Sequence, residues 1–222
     1  AGHNGTALGT AAVTGGTVKV KRGAEETLGD SAVIAGKYFK NLELDPGGHS
    51  RVTLNVAADE PQYLDAKPPA VAALRELVRQ ADRLYRARHY DHYDFLLTLS
   101  DRLAGSGLEH QRSSDNGTPP KFFTTWDTSL ISRDLLAHEY NHSWNGKYRR
   151  PADLWTPNLN VPMRDSLLWV YEGQTQYYGN VLAARAGLLT KQQALDSLAL
   201  MAATLNARAG RAWDRQSTHL HP

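Results

Sequence analysis

The 222-residue chain contains no cysteine. Disulfides and thiolate metal sites are therefore excluded, and any metal held here must draw its ligands from His, Asp and Glu. The same absence leaves the cellular compartment undecided. Long apolar runs are missing too. Arg, Asp or Gly interrupts every hydrophobic stretch well short of the roughly 18 to 20 residues that a membrane-spanning helix needs. Charge of one sign is scarce: the formal net charge is +2, and the basic residues are scattered apart from Lys147-Tyr148-Arg149-Arg150, which reads as a solvated turn. This argues against nucleic acid as a partner. The opening Ala1-Gly2-His3-Asn4-Gly5 lacks an initiator Met and the charged and apolar regions of a signal peptide, and reads as the start of a processed or excised piece.

What is present is 41% hydrophobic, enough to bury a sizeable core in one large domain or two small ones. Residues 1–58 are rich in Gly, Thr and Val and alternate with period two in Thr17–Lys21 and Ser50–Val56. That pattern predicts short antiparallel strands, as in part of a sandwich. His3 and His49 fall in Gly-rich loops and are expected to be solvated. A proline-punctuated boundary runs from Asp59 to Pro69. After it, Val71, Leu74, Leu77, Val78, Ala81 and Leu84 recur at the spacing of an amphipathic helix. Tyr93, Phe95, Leu97 and Leu99 alternate as in a half-buried strand, with His89 and His92 as structural residues where it begins. A glycine-rich stretch, Gly105–His110, then leads to an expected loop over Ser113–Pro120.

The chemistry centres on His138-Glu139-Tyr140-Asn141-His142. Residues four apart share a helix face, so both imidazoles can meet one metal ion. Glu139, rotated by about 100°, can reach a water on that ion without becoming a ligand. Chance alone supplies H-E-x-x-H in on the order of one chain per hundred of this composition, so the surroundings must decide between a site and two solvated histidines. The motif helix is expected to start near Ser129 or Ser132 and to end near Asn145-Gly146. A Pro-rich connector follows from Pro151 to Pro162. A second helix is expected from about Asp165 to Gly187, and a third from Thr190, with Gln193 at capping-box spacing, to about Asn206. The tail from Gly210 has no periodicity.

Glu172 is the one glutamate C-terminal to Glu139 and lies in an apolar run, Leu167-Leu168-Trp169-Val170-Tyr171. A carboxylate there is costly to bury without a cation. Two histidines and one carboxylate would leave a fourth position on zinc for water. The alternative is a salt bridge to Arg149, Arg150 or Arg164. A three-histidine site is excluded, since Asn145 and Tyr148 stand where H-E-x-x-H-x-x-G-x-x-H needs Gly and His. Gln176, one turn beyond Glu172, is placed to hydrogen-bond a ligand. The glycines around Gly107-Leu108-Glu109 would let an extended peptide approach a sheet edge, where Glu109 could meet its ammonium group; the plain alternative is a solvated glutamate after a turn.

With these residues in view, the chain resembles the glycyl aminopeptidase family of zinc metallopeptidases, whose members commonly carry a PDZ domain. The likeness is strongest in His92-Tyr93-Asp94, Gly107-Leu108-Glu109-His110, His138 through Asn145, Arg149 through Trp155, and Trp169-Val170-Tyr171-Glu172-Gly173. The resemblance implies an α+β chain in two parts. Residues 1–58 would be the C-terminal part of an N-terminal β domain, and residues 59–222 a mainly α-helical, thermolysin-like catalytic domain that is incomplete at its C-terminus. It implies zinc as cofactor, with His138, His142 and Glu172 as ligands and Glu139 as general base. Gly107-Leu108-Glu109-His110 resembles the Gly-x-Met-Glu-Asn motif with which related aminopeptidases bind the substrate's amino terminus. The expected partner is a peptide with a free N-terminus, glycine or alanine first. Two features of the family have no counterpart before Pro222: a later tyrosine that stabilises the oxyanion, and the PDZ domain. The rival expectations are a zinc endopeptidase, in which Glu109 captures no amine, and a zinc-holding peptide-binding module without turnover.

Overall fold

The computed structural model describes the backbone of residues 11–14 and 17–20, and residues 29–158 and 160–208 in full. The expectations for His3 and for the tail beyond Gly210 fall outside the described residues. Strands β1 (Ala11–Thr14) and β2 (Thr17–Val20) pair antiparallel, Ala11 opposite Val20, where alternation predicted a strand.

The main sheet has five strands in the spatial order 38–43, 51–58, 92–99, 113–118 and 106–109, with both pairing directions, and with the helices it makes an α+β fold. Strand β3 (Tyr38–Glu43) runs antiparallel to β4 (Arg51–Ala58), and β4 runs parallel to β5 (His92–Leu99). A parallel neighbour needs a long crossover. Here it contains helix α1 (Pro68–Tyr85), which starts on two prolines and buries Ala70, Ala73, Leu74, Leu77, Val78 and Ala81, close to the expected face. Residues on both sides of position 58 thus belong to one sheet.

Strand β5 differs from the half-buried strand its alternation predicted. Tyr93, Phe95, Leu97 and Leu99 point into the helix-covered core together with Val52, Leu54 and Val56. The opposite face is covered as well, because Leu96 and Ala57 pack under Ile34. Asp94, on that second face, is buried among the Thr53 hydroxyl, Asn55 Nδ2 at 3.2 Å and Arg51 at 3.4 Å. Parallel central strands are enclosed on both sides, and period two cannot reveal this.

Ser113–Pro120, expected as a loop, contains strand β7 (Ser113–Thr118), parallel to β5. Its polar residues are satisfied inside the sheet. Asn116 Nδ2 donates to Leu96 O at 3.0 Å and to Ser114 O at 2.9 Å. Strand β6 (Ser106–Glu109) pairs antiparallel with β7 and forms the sheet edge.

Helix α2 (Leu135–His142) packs on β6, β7 and α3 (Thr175–Ala186), and α3 also packs on α1. Helix α4 (Lys191–Asn206) closes the described chain and has the expected capping box between Thr190 and Gln193. Helix α2 starts later than either serine predicted. Ser132 is left-handed, with φ of 59°, and turns occupy the residues before it. Arg133 is buried over the Trp126 ring at 3.4 Å and donates to Leu188 O at 3.2 Å, which holds this turn against the end of α3. No described helix is long and apolar enough to cross a membrane.

Candidate active site

Helix α2 is only eight residues long, and its position decides what it can do. One helical turn separates His138 from His142, and their Nε2 atoms lie 3.1 Å apart. The element bearing Glu172 is not the continuous helix expected from Asp165 to Gly187. A 3₁₀ turn (Asp165–Leu167) leads into a six-residue π-helix (Trp169–Gln174), which runs on into α3. Asp153 anchors the start by accepting Leu167 N at 3.2 Å and the Ser166 hydroxyl. Within the π-helix the carbonyls of Val170 and Tyr171 accept hydrogen bonds from Asn145 Nδ2 at 2.9 and 3.3 Å. Wide turns of this kind recur at functional sites because they re-aim one side chain. The side chain at issue is Glu172.

Glu172 Oε2 lies 3.4 Å from His138 Nε2 and 3.3 Å from His142 Nε2. Tetrahedral zinc, with bonds of about 2.0–2.1 Å, separates its ligand atoms by about 3.3 Å. The triangle is therefore the right size for zinc, and its chemistry of two imidazoles and a carboxylate suits the ion. Among the described residues Glu172 forms no ion pair with Arg149, Arg150 or Arg164. Hydrogen bonds from His138 and His142 hold its carboxyl down at about 2.

His142 Nδ1 lies 3.1 Å from Asn145 O, a contact in which only the nitrogen can donate, so the Nε2 lone pair faces the other two ligands. His138 Nδ1 is buried and has no partner among the described residues.

Glu139 is 5% exposed. Burial pushes its carboxyl up to about 7, with His138 opposing and Glu109 and Glu172 reinforcing the shift. Its carboxylate packs against the backbone of β6: a Cβ added to Gly107 would land on it and come within 2.9 Å of Leu135 Cδ1. Glu109, Glu139 and His142 offer ligand atoms that all lie within 4.8 Å of one another. Side chains alternate along a strand, so Leu108 projects from the face opposite Gly107 and Glu109 and is 55% exposed. The fold thus gathers His138, Glu139, His142, Glu172, Glu109 and Gly107, and leaves the Leu108 side chain outside.

Sequence reasoning missed several supports. Asn145, read as part of a helix exit, is the splint between α2 and the π-helix and also donates to Thr175 Oγ1 at 3.0 Å. Tyr171 hydrogen-bonds Glu109 through its hydroxyl and lays its ring against His142, centroids 4.7 Å apart. Burial, followed by Glu109, drives the phenol pKa upward, so the hydroxyl keeps its proton to donate. Gln176 was expected to touch a ligand; its Nε2 instead donates to Asp134 Oδ2 at 3.2 Å, tying α3 to the start of α2. The basic run is a largely exposed turn, as expected for Tyr148, Arg149 and Arg150, but Lys147 is part-buried and paired. Lys147 Nζ reaches Asp30 Oδ1 at 2.8 Å, Arg149 lies over Tyr148, and Arg150 donates to Gly146 O at 3.1 Å. Asp30 and Lys147 are 117 positions apart, so no local pattern marks the pair.

The fold has a counterpart among solved structures. The chain is similar to an aminopeptidase N family protein from Idiomarina loihiensis, known from its crystal structure, with a TM-score of 0.59 and 22% identity over 75% of this chain. It spans 28% of the length of that relative. Residues 132–219, which carry α2 and the π-helix, match the model of the M61 glycyl aminopeptidase family. No curated protein matches the chain.

Proposed function

We propose that this chain carries the catalytic centre of a zinc-dependent aminopeptidase. It would cleave the first peptide bond of unblocked peptides, glycine or alanine first, from a thermolysin-like arrangement of helices. The observation that carries the reading is the triangle of His138 Nε2, His142 Nε2 and Glu172 Oε2, of tetrahedral-zinc dimensions, with the buried Glu139 and part-buried Glu109 carboxylates close to His142. Zinc held there supplies Lewis acidity, which acidifies water and polarises the carbonyl to be attacked.

The protein's own groups do the rest. A peptide lies along the edge strand β6, adding to the sheet as an extended segment does. Glu109 accepts its free ammonium group and thereby places the first peptide bond, rather than a later one, at the metal. Glu139 takes a proton from the attacking water and returns it to the departing amine. Its buried position keeps that proton within the site.

The test uses two variants and two peptides. Glu139→Gln is expected to keep stoichiometric zinc and lose turnover on glycyl and alanyl substrates by about 10² to 10⁴. Glu172→Ala is expected to lose zinc. The wild-type protein is expected to refuse N-acetylated peptides. Full activity in Glu139→Gln, or full zinc in Glu172→Ala, would sink the assignment. Cleavage of the acetylated peptide would make the protein an endopeptidase.

A further inference from the structure

We propose that Tyr171 is the positioning residue of amine recognition. Through its hydroxyl it holds the Glu109 carboxylate at a set distance from the metal ligands and so limits cleavage to the first peptide bond. The inference rests on the reading of Glu109 given above and goes beyond it, because it assigns the discrimination between chain end and chain interior to a residue of the metal-binding arm.

Tyr171 precedes Glu172 directly, so one peptide unit, about 3.8 Å between Cα atoms, separates the residue that holds Glu109 from a metal ligand. Three contacts keep Tyr171 in place. Its ring lies tilted by 33° against the ring of His142. Its backbone carbonyl accepts from Asn145 Nδ2 at 3.3 Å. Its ring fills the space over Gly146, where φ of +136° and the absence of a side chain are both required, because a Cβ would run into the aromatic ring.

From this position the hydroxyl donates to Glu109 Oε1, linking the π-helix to the edge strand. A carboxylate has two oxygens. With Oε1 engaged by Tyr171, Oε2 remains for an ammonium group, and its direction is set because a carboxylate held at one oxygen cannot swing freely. A tyrosine merely filling space would need no hydroxyl on this carboxylate.

The experiment titrates alaninamide and N-acetylalaninamide calorimetrically into the zinc-loaded wild-type, Tyr171→Phe and Glu109→Gln proteins, with zinc content measured in each. Phenylalanine keeps the ring and its packing. Tyr171→Phe is expected to bind alaninamide about tenfold more weakly, about 1.4 kcal/mol, with zinc content and N-acetylalaninamide binding as in wild type. On alanyl substrates the loss should fall more on KM than on kcat. If Glu109→Gln weakens alaninamide and Tyr171→Phe does not, the role given to Tyr171 is overturned while amine capture by Glu109 stands. If neither variant weakens it, both fall. Zinc loss in Tyr171→Phe, or equal weakening of both probes, would make Tyr171 a packing residue and overturn the proposal too.

Discussion

A single methyl group added at Gly107 would collide with the carboxylate of Glu139 and crowd Leu135. Glycine is needed here for the side chain on the opposite element, not for its own backbone, since its φ is not in the left-handed region. The structure gives a reason for the glycine: the buried Glu139 carboxylate packs against β6 at this position. Gly107→Ala is expected to lower kcat by about 10²-fold, as displacement of a reacting group by about an ångström does, while zinc content stays at the wild-type level. Steady-state rates paired with metal analysis check this. A variant with wild-type kcat would mean that β6 yields without moving Glu139.

At the scale of elements, the site exists because a short α-helix and a π-helix are held in one orientation, and Asn145 is the link. Its carbonyl meets His142 Nδ1 at 3.1 Å, and its amide group reaches Val170 O, Tyr171 O and Thr175 Oγ1. Removing the amide frees the arm that presents Glu172 while leaving every proposed ligand in the chain. Asn145→Ala is therefore expected to weaken zinc binding by about 10- to 100-fold, the range seen when an outer hydrogen-bond partner of a metal site is lost. Competition against a chelator of known affinity measures it. Unchanged affinity would mean that Asp153 and the packing of α3 on α2 are sufficient to hold the arm.

At the scale of the whole molecule, Asp30 joins segments far apart in sequence: Lys147 Nζ at 2.8 Å from the turn after α2, and His110 Nδ1 at 3.4 Å and Gln111 N at 2.7 Å from the end of β6. Burial works to raise the Asp30 carboxyl, but hydrogen bonds from His110 and Lys147 outweigh it and bring it down to about 2. A carboxyl lowered on folding contributes stability above its unfolded pKa of about 3.9 and loses it as pH falls through the folded value. The wild-type protein should therefore lose roughly 2 kcal/mol from this group between about pH 4 and 2, and Asp30→Asn should lack that component. Urea unfolding of both proteins across this range tests it; parallel pH profiles would refute it.

The sequence alone determined that His138 and His142 share one helical turn beside Glu139, the amphipathic face of α1, and the capping box of α4, because each is written in spacings of three or four residues along one helix. Tertiary structure decided the enclosure of β5 on both faces, the strand character of Ser113–Thr118, the break of the Glu172 helix into a π-helix, and the links made by Asn145, Tyr171 and Asp30. These depend on partners distant in the chain. A polar run such as Ser113-Ser114-Asp115-Asn116-Gly117-Thr118 becomes a buried strand only when neighbouring strands supply its hydrogen bonds. A carboxylate becomes part of a metal-sized triangle only when another element brings it within a few ångströms of two imidazoles.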